Sequence, residues 1–193
     1  AVWTPNIYQI SLDPNGGNVV EGDLATRTIT FGEAYGSLPV MEKENYTFEG
    51  WYTDKTGGGK LTETSAVELG HDHVIYAQYK PIEFTITYYG TEDAQNDNPE
   101  TYNVETGLFS LEKASRRGYT FEGWYDNENL EGEEVRAVSA NETGNKTFYA
   151  KWRENHYKIV YHSNEGKGYS KEQQLAYTEI STLLKNTYEW EGY

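Results

Sequence analysis

His71 and His73 stand two residues apart, a spacing that on a strand would turn both imidazoles toward one transition-metal ion. No third ligand accompanies them, so a solvated turn is the expected setting and no metal is assigned. Nucleophilic catalysis lacks its parts, since the chain has no Cys and no Gly-x-Ser-x-Gly turn. The 31 Asp and Glu make paired carboxylates unavoidable, so pairs alone say nothing for glycoside hydrolysis. No Asp-x-[Asp/Asn]-x-[Asp/Asn]-Gly loop marks a calcium site. The remaining chemistry is aromatic: Trp51 and Trp124 invite stacking on sugar rings, as do Tyr52, Tyr76, Tyr125 and Tyr149 if they face outward. A protein without catalytic residues or cofactors is expected, with those four tyrosines as candidate ligand contacts.

The elements that would position such groups must be built from an economical core. The chain has 193 residues, room for one large domain or two to three small ones. Only 36% of residues are hydrophobic and the mean hydropathy is -0.83, but 15% are aromatic, led by 18 Tyr and 5 Trp. Large rings bury much area per residue, so a few of them hold a short domain together. The net charge of -15 argues against a nucleic-acid partner and against anionic lipid headgroups. No stretch approaches the roughly 18 apolar residues of a membrane span, so no membrane insertion is expected.

An internal repeat organises the chain. Asn45-Tyr46-Thr47-Phe48-Glu49-Gly50-Trp51-Tyr52 returns as Gly118-Tyr119-Thr120-Phe121-Glu122-Gly123-Trp124-Tyr125, 73 residues on, and more weakly as Tyr188 to Tyr193. Ile75-Tyr76-Ala77-Gln78-Tyr79 returns with the same offset as Phe148-Tyr149-Ala150-Lys151-Trp152. An opening segment appears three times: Tyr8 to Leu12, Phe84 to Tyr88 and Tyr157 to Tyr161. The front half of the unit varies in length and the rear half does not, as expected if insertions fall in surface loops. The implied boundaries are 1–3 for the last strand of a preceding repeat, 4–80 for repeat 1, 81–153 for repeat 2 and 154–193 for an incomplete repeat 3. His71 and His73 correspond to Gly144 and Lys146, and His156 and His162 fall near Ile7 and Asp13, so no histidine recurs.

Each unit reads as mostly β to α+β, with about four strands. Tyr8, Ile10 and Leu12 alternate with Gln9 and Ser11, and a turn at Asp13-Pro14-Asn15-Gly16-Gly17 follows. Thr26 to Phe31, Tyr46 to Tyr52 and Ile75 to Tyr79 supply further strands, with Gly50 marking a bulge or a close backbone approach. At most one short helix per unit is expected, over Ser110 to Ser115 in the second unit, and Ile180, Leu183 and Leu184 have helical spacing in the third. Tyr46, Phe48, Gly50, Trp51 and Tyr79, with Tyr119, Phe121, Gly123, Trp124 and Trp152, form the expected repeat core.

The Asn15-Gly16-Gly17 turn, the Gly118 to Tyr125 core and the Phe148 to Trp152 strand together resemble the Listeria–Bacteroides repeat family, which includes the B repeat of internalin-type proteins. Unit two departs with Gly90-Thr91-Glu92 at the turn, and unit three with Asn164-Glu165-Gly166 and with Trp190 in place of Phe. The resemblance implies tandem β-grasp-like (ubiquitin-like) modules of about 70 residues in an elongated array, on an extracellular, cell-surface or wall-attached bacterial protein. It also implies a non-catalytic stalk or adhesive spacer. A host surface protein or glycan and the adjacent repeats of the parent chain are the expected partners.

Overall fold

The computed structural model describes residues 2–191, and among them it contains β-strands and no helix. The chain divides into two compact units, Ala1–Glu83 with Asn103–Glu105, and Phe84–Tyr102 with Thr106–Tyr193. The repetition read from the sequence is repeated in hydrogen bonds.

In the first unit, strands β1 (Ile7–Asp13), β3 (Arg27–Thr30), β5 (Tyr46–Tyr52), β6 (Lys60–Leu61) and β7 (His73–Pro81) form one sheet, in the order β3-β1-β7-β5-β6. The opening and closing strands β1 and β7 lie parallel at its centre, from Ile10↔His73 to Asp13↔Tyr76. A parallel pair needs a long crossover. Here loops carry it, together with the small pair β2 (Asn18–Glu21) and β4 (Val40–Glu42), which contributes Met41 to the core. Alternation turns Ile10, Leu12, Trp51, Ile75 and Ala77 inward onto Ile29, Tyr35, Met41 and Val67.

The turn after β1 follows from its residues. Asn15 and Gly16 both have positive φ, 48° and 83°, and the Gly17 N–H donates to the Pro14 carbonyl at 2.9 Å. That is a type I′ turn, which Asn-Gly favours. A Cβ on Gly17 would lie 1.9 Å from the Tyr79 hydroxyl, so only glycine fits there.

In the second unit, β8 (Phe84–Tyr89), β9 (Thr101–Tyr102), β11 (Tyr119–Tyr125) and β13 (Lys146–Glu154) repeat the arrangement in the order β11-β13-β8-β9, with β8 and β13 parallel. Isolated bridges Trp124↔Val135 and Gln95↔Ser115 stand where the first unit has β6 and the β2–β4 pair. A short pair, β10 (Phe109–Ser110) with β12 (Ala137–Val138), closes the core of Ile86, Tyr102, Ala114, Trp124, Val138, Phe148 and Ala150. The remaining strands, β14 (His156–Tyr161) and β15 (Lys171–Ala176), form an antiparallel hairpin.

Neither expected helix forms. Over Ser110 to Ser115 the backbone is bonded away from itself. The Leu111 N–H donates to Arg136, the Glu112 N–H donates to Asn98 Oδ1, and the Glu112 carbonyl accepts from both Trp124 and Asn98. Around Leu184, the N–H donates to the Tyr161 hydroxyl, while Gln173 takes the Thr182 carbonyl. Tertiary partners outbid weak local helix propensity at both places. The class is all-β among the described residues, rather than α+β. Val2 and Trp3 lie in no strand, and Ala1, Gly192 and Tyr193 of the terminal repeat fragments fall outside the described residues.

Candidate functional site

The repeated Tyr-Thr-Phe-Glu-Gly-Trp-Tyr segment is a bulged strand in both units. Pairing of β5 with β7 runs Phe48↔Tyr79 and then Gly50↔Gln78, and pairing of β11 with β13 runs Phe121↔Trp152 and then Gly123↔Lys151. The extra residue re-phases the strand. Without it Phe48 and Gly50 would share a face; with it Phe48 and Trp51 do, three residues apart. Their rings meet edge to face at 6.4 Å, and those of Phe121 and Trp124 at 5.2 Å. Gly50 and Gly123 sit at φ 133° and 137°, where a side chain is strained.

Each tryptophan is locked at its polar end. Trp51 and Trp124 are 2% and 1% exposed. Trp51 Nε1 donates to the Pro39 carbonyl and Trp124 Nε1 to that of Glu112, both at 2.8 Å and both from twelve residues upstream. The closing strand is pinned similarly. Tyr79 donates its hydroxyl to the Pro14 carbonyl at 2.9 Å, and Trp152 donates Nε1 to the Gly90 carbonyl at 2.8 Å. Tyr46 and Tyr119 are half-buried at the start of the same strands, beneath Lys43 and Arg116 respectively. The Trp51 and Trp124 faces are therefore closed to a sugar ring.

The four tyrosine candidates lie on the opposite side of the sheets. Tyr52 pairs with Tyr76, and Tyr125 with Tyr149, one position along from Trp51↔Ala77 and Trp124↔Ala150. All four are half-buried. The strand pairing adds Tyr89, which lies beside Tyr149 with its ring nearly parallel, 5.2 Å between centroids and 16° between planes. Tyr89 was readable from alternation, because Phe84, Ile86 and Tyr88 point inward and leave it outward. The first unit has Asp13 at that place in the row.

His73 is engaged within the protein. Its Nε2 meets the Tyr35 hydroxyl at 2.8 Å and its Nδ1 the His71 carbonyl at 2.9 Å. Among the described residues no cluster of three or more His, Cys, Asp or Glu is placed to hold a metal ion. A groove of about 510 Å³ in the second unit is lined by Tyr88, Thr91, Asn96 and Glu100 among others. Burial, aided by the charge of Glu100, pushes the Tyr88 phenol up to about 12, so this hydroxyl stays protonated as a donor to the Pro99 carbonyl. No helix among the described residues is long and apolar enough to cross a membrane.

The Listeria-Bacteroides repeat domain matches residues 8–78 and again 84–151. The chain belongs to this family. Relatives carry the repeat within longer proteins. A proposed Gly-rich membrane protein of Evansella cellulosilytica is 29% identical over 96% of this chain and 20% of its own length. A second proposed membrane protein of that organism is 29% identical over 86% of the chain and 24% of its own length. Internalin H of Listeria monocytogenes is 31% identical over 70% of the chain and 24% of its length. The chain thus spans about a quarter or less of these relatives. The bulge, the paired indole bonds and the parallel central strands are what the repeat specifies in three dimensions.

Proposed function

We propose that the chain is a non-catalytic repeat region of a bacterial cell-surface or wall-attached protein, where it acts as a spacer or adhesive stalk. The observation that carries this reading is duplication of a self-contained core. The same sheet order, bulge and indole bond are built twice from corresponding residues, each around its own buried tryptophan. Selection for a repeated active site would duplicate polar chemistry; what is duplicated here is packing. The company of an internalin and of proposed membrane proteins supports the surface location.

In this reading residues 4–80 and 81–153 are the two repeats, 154–193 belong to a third, and 1–3 to a preceding one. The strand order, with first and last strands parallel at the centre, supports a β-grasp-like sheet whose crossover is made by loops instead of a helix. Small-angle scattering on proteins of two, four and six repeats tests the spacer. A maximum dimension rising in proportion to repeat number supports it, and one that barely grows overturns it.

Strand addition by a protein partner is the second reading, favoured by one observation. β1 and β8 have neighbours on both sides, whereas β14 pairs only with β15 among the described residues. An exposed strand edge is a template for an added strand. A peptide with the sequence of residues 146–154 should bind the chain if this edge accepts a closing strand, and no binding would remove the reading.

A further inference from the structure

We propose that the row Tyr89–Tyr149–Tyr125 on the outer face of the second unit is a binding site for a neutral, pyranose-based glycan. This goes beyond the spacer role and stands or falls separately from it. Strand register sets the three residues side by side across β8, β13 and β11, at one end of the sheet. Tyr89 is 49% exposed and its two partners are half-buried, so the row is open but anchored.

The hydroxyls of this row are left for a ligand, as are those of Tyr52 and Tyr76 in the first unit, while most inward tyrosines use theirs. Tyr35, Tyr79, Tyr88, Tyr102, Tyr161 and Tyr188 each spend theirs on a hydrogen bond within the protein. Among the described residues, the hydroxyls of Tyr89, Tyr125 and Tyr149 make none. Cross-strand ring contact alone stabilises a sheet modestly, and phenylalanine would serve it equally. Tyr149 stacks on one face of Tyr89, and Lys151 lies over the Tyr125 ring. The row therefore offers the half-exposed Tyr89 ring, ring edges and three hydroxyls to the apolar C–H face and equatorial hydroxyls of a pyranose.

The geometry is also prepared in advance. Neighbouring strands hold Tyr89 and Tyr149 nearly parallel, and the Lys151 ammonium sits 5.0 Å from the centre of the Tyr125 ring while donating to the Leu130 carbonyl. Tyrosine has few side-chain torsions to freeze, so binding would lose little entropy. The choice of a neutral glycan follows from charge, since a chain at -15 repels sulfated or uronic polymers. The first unit supplies an internal comparison. Its row is Tyr52–Tyr76–Asp13, two rings and a carboxylate that already accepts the Asn15 N–H at 2.8 Å.

The test is calorimetric titration of the full chain with cellohexaose, chitohexaose and mannohexaose, with a heparin hexasaccharide as the anionic comparison. At least one neutral hexasaccharide should bind, Tyr149→Ala should weaken it by about tenfold, and Tyr89→Asp should weaken it by several-fold. Tyr52→Ala and Tyr157→Ala should leave it unchanged. Tyr89→Asp changes an exposed strand end to the residue of the first unit, so it reports on the site even if Tyr149→Ala disturbs the fold. Silence with all three neutral glycans overturns the proposal, as does equal or tighter binding of heparin. Wild-type affinity in both Tyr149→Ala and Tyr89→Asp overturns it too.

Discussion

Trp51 donates its indole N–H to the carbonyl of Pro39 at 2.8 Å, fastening the bulged strand to the segment that enters it. The same bond joins Trp124 to Glu112, but the surroundings differ. Pro39 is buried and Trp51 is its carbonyl's partner, whereas Glu112 is exposed and its carbonyl also accepts from Asn98 Nδ2 at 2.9 Å.

Trp51→Phe and Trp124→Phe should therefore differ in cost. Both lose ring volume from a packed core. Only Trp51→Phe also strands a buried carbonyl, a loss of about 1–3 kcal/mol in itself. Hydrogen exchange of core amides in each unit is the measurement. The first unit should lose more protection from Trp51→Phe than the second loses from Trp124→Phe, and the reverse order would contradict the account.

Gly123→Ala should destabilise the second unit through its backbone. At φ 137° a Cβ is strained by about 1–3 kcal/mol, and it would lie 2.7 Å from Glu134 Cγ. Glu134 is a flexible side chain paired with Arg136, so the clash is the smaller part. The cost of Gly123→Ala in urea denaturation should accordingly persist in a Glu134→Ala background. If Glu134→Ala restores full stability, sterics and not φ govern the bulge.

How much of this was legible depended on whether a residue's partner lay on its own strand. Gly50 announced a bulge or a close backbone approach, because glycine interrupts an alternating segment there, and the strand register makes it a bulge. Strands β1, β5 and β7 followed from alternation, and a turn at Asn15-Gly16 from residues suited to positive φ. Leu111-Glu112-Lys113-Ala114 read as helix because propensity is local, while the groups that extend it, Arg136, Asn98 and Trp124, are remote in sequence. For the candidate site, Tyr125 and Tyr149 were visible as equivalents of Tyr52 and Tyr76. Tyr89 was missed because it has no tyrosine counterpart in the first unit, where Asp13 stands.

Alkaline pH should unfold the second unit in part through Tyr88. Its folded phenol, raised to about 12 chiefly by burial, lies above the value of about 10 expected once the chain unfolds. Between those values the unfolded state sheds the proton and the folded state keeps it. The stabilisation is thus whole below pH 10 and is lost as pH rises toward 12. Tyr88→Phe should flatten that loss, followed as denaturation midpoint against pH. An unchanged slope would mean that other groups carry the alkaline transition.

The hairpin of β14 and β15 should be the first part of the second unit to yield to a protease. Two strands alone are marginal in water, and among the described residues this pair has no central parallel partner of the kind β1 and β8 have. Ile180 is fully exposed, Leu183 is largely so and Trp190 is about half exposed, so the segment beyond β15 buries little apolar surface. Its base ties the hairpin to the rest of the unit. The Asn155 N–H donates to the Gly118 carbonyl, the Tyr177 N–H to Asn155, and the Tyr177 ring lies where a Cβ on Gly118 would stand, 2.1 Å away. Limited proteolysis with mass mapping should show cuts between 162 and 187 while 84–153 survives. Gly118→Ala, by displacing Tyr177, should speed those cuts without exposing β11 or β13. Equal resistance of residues 154–191 and 84–153 would show that the hairpin is sustained by more than its base.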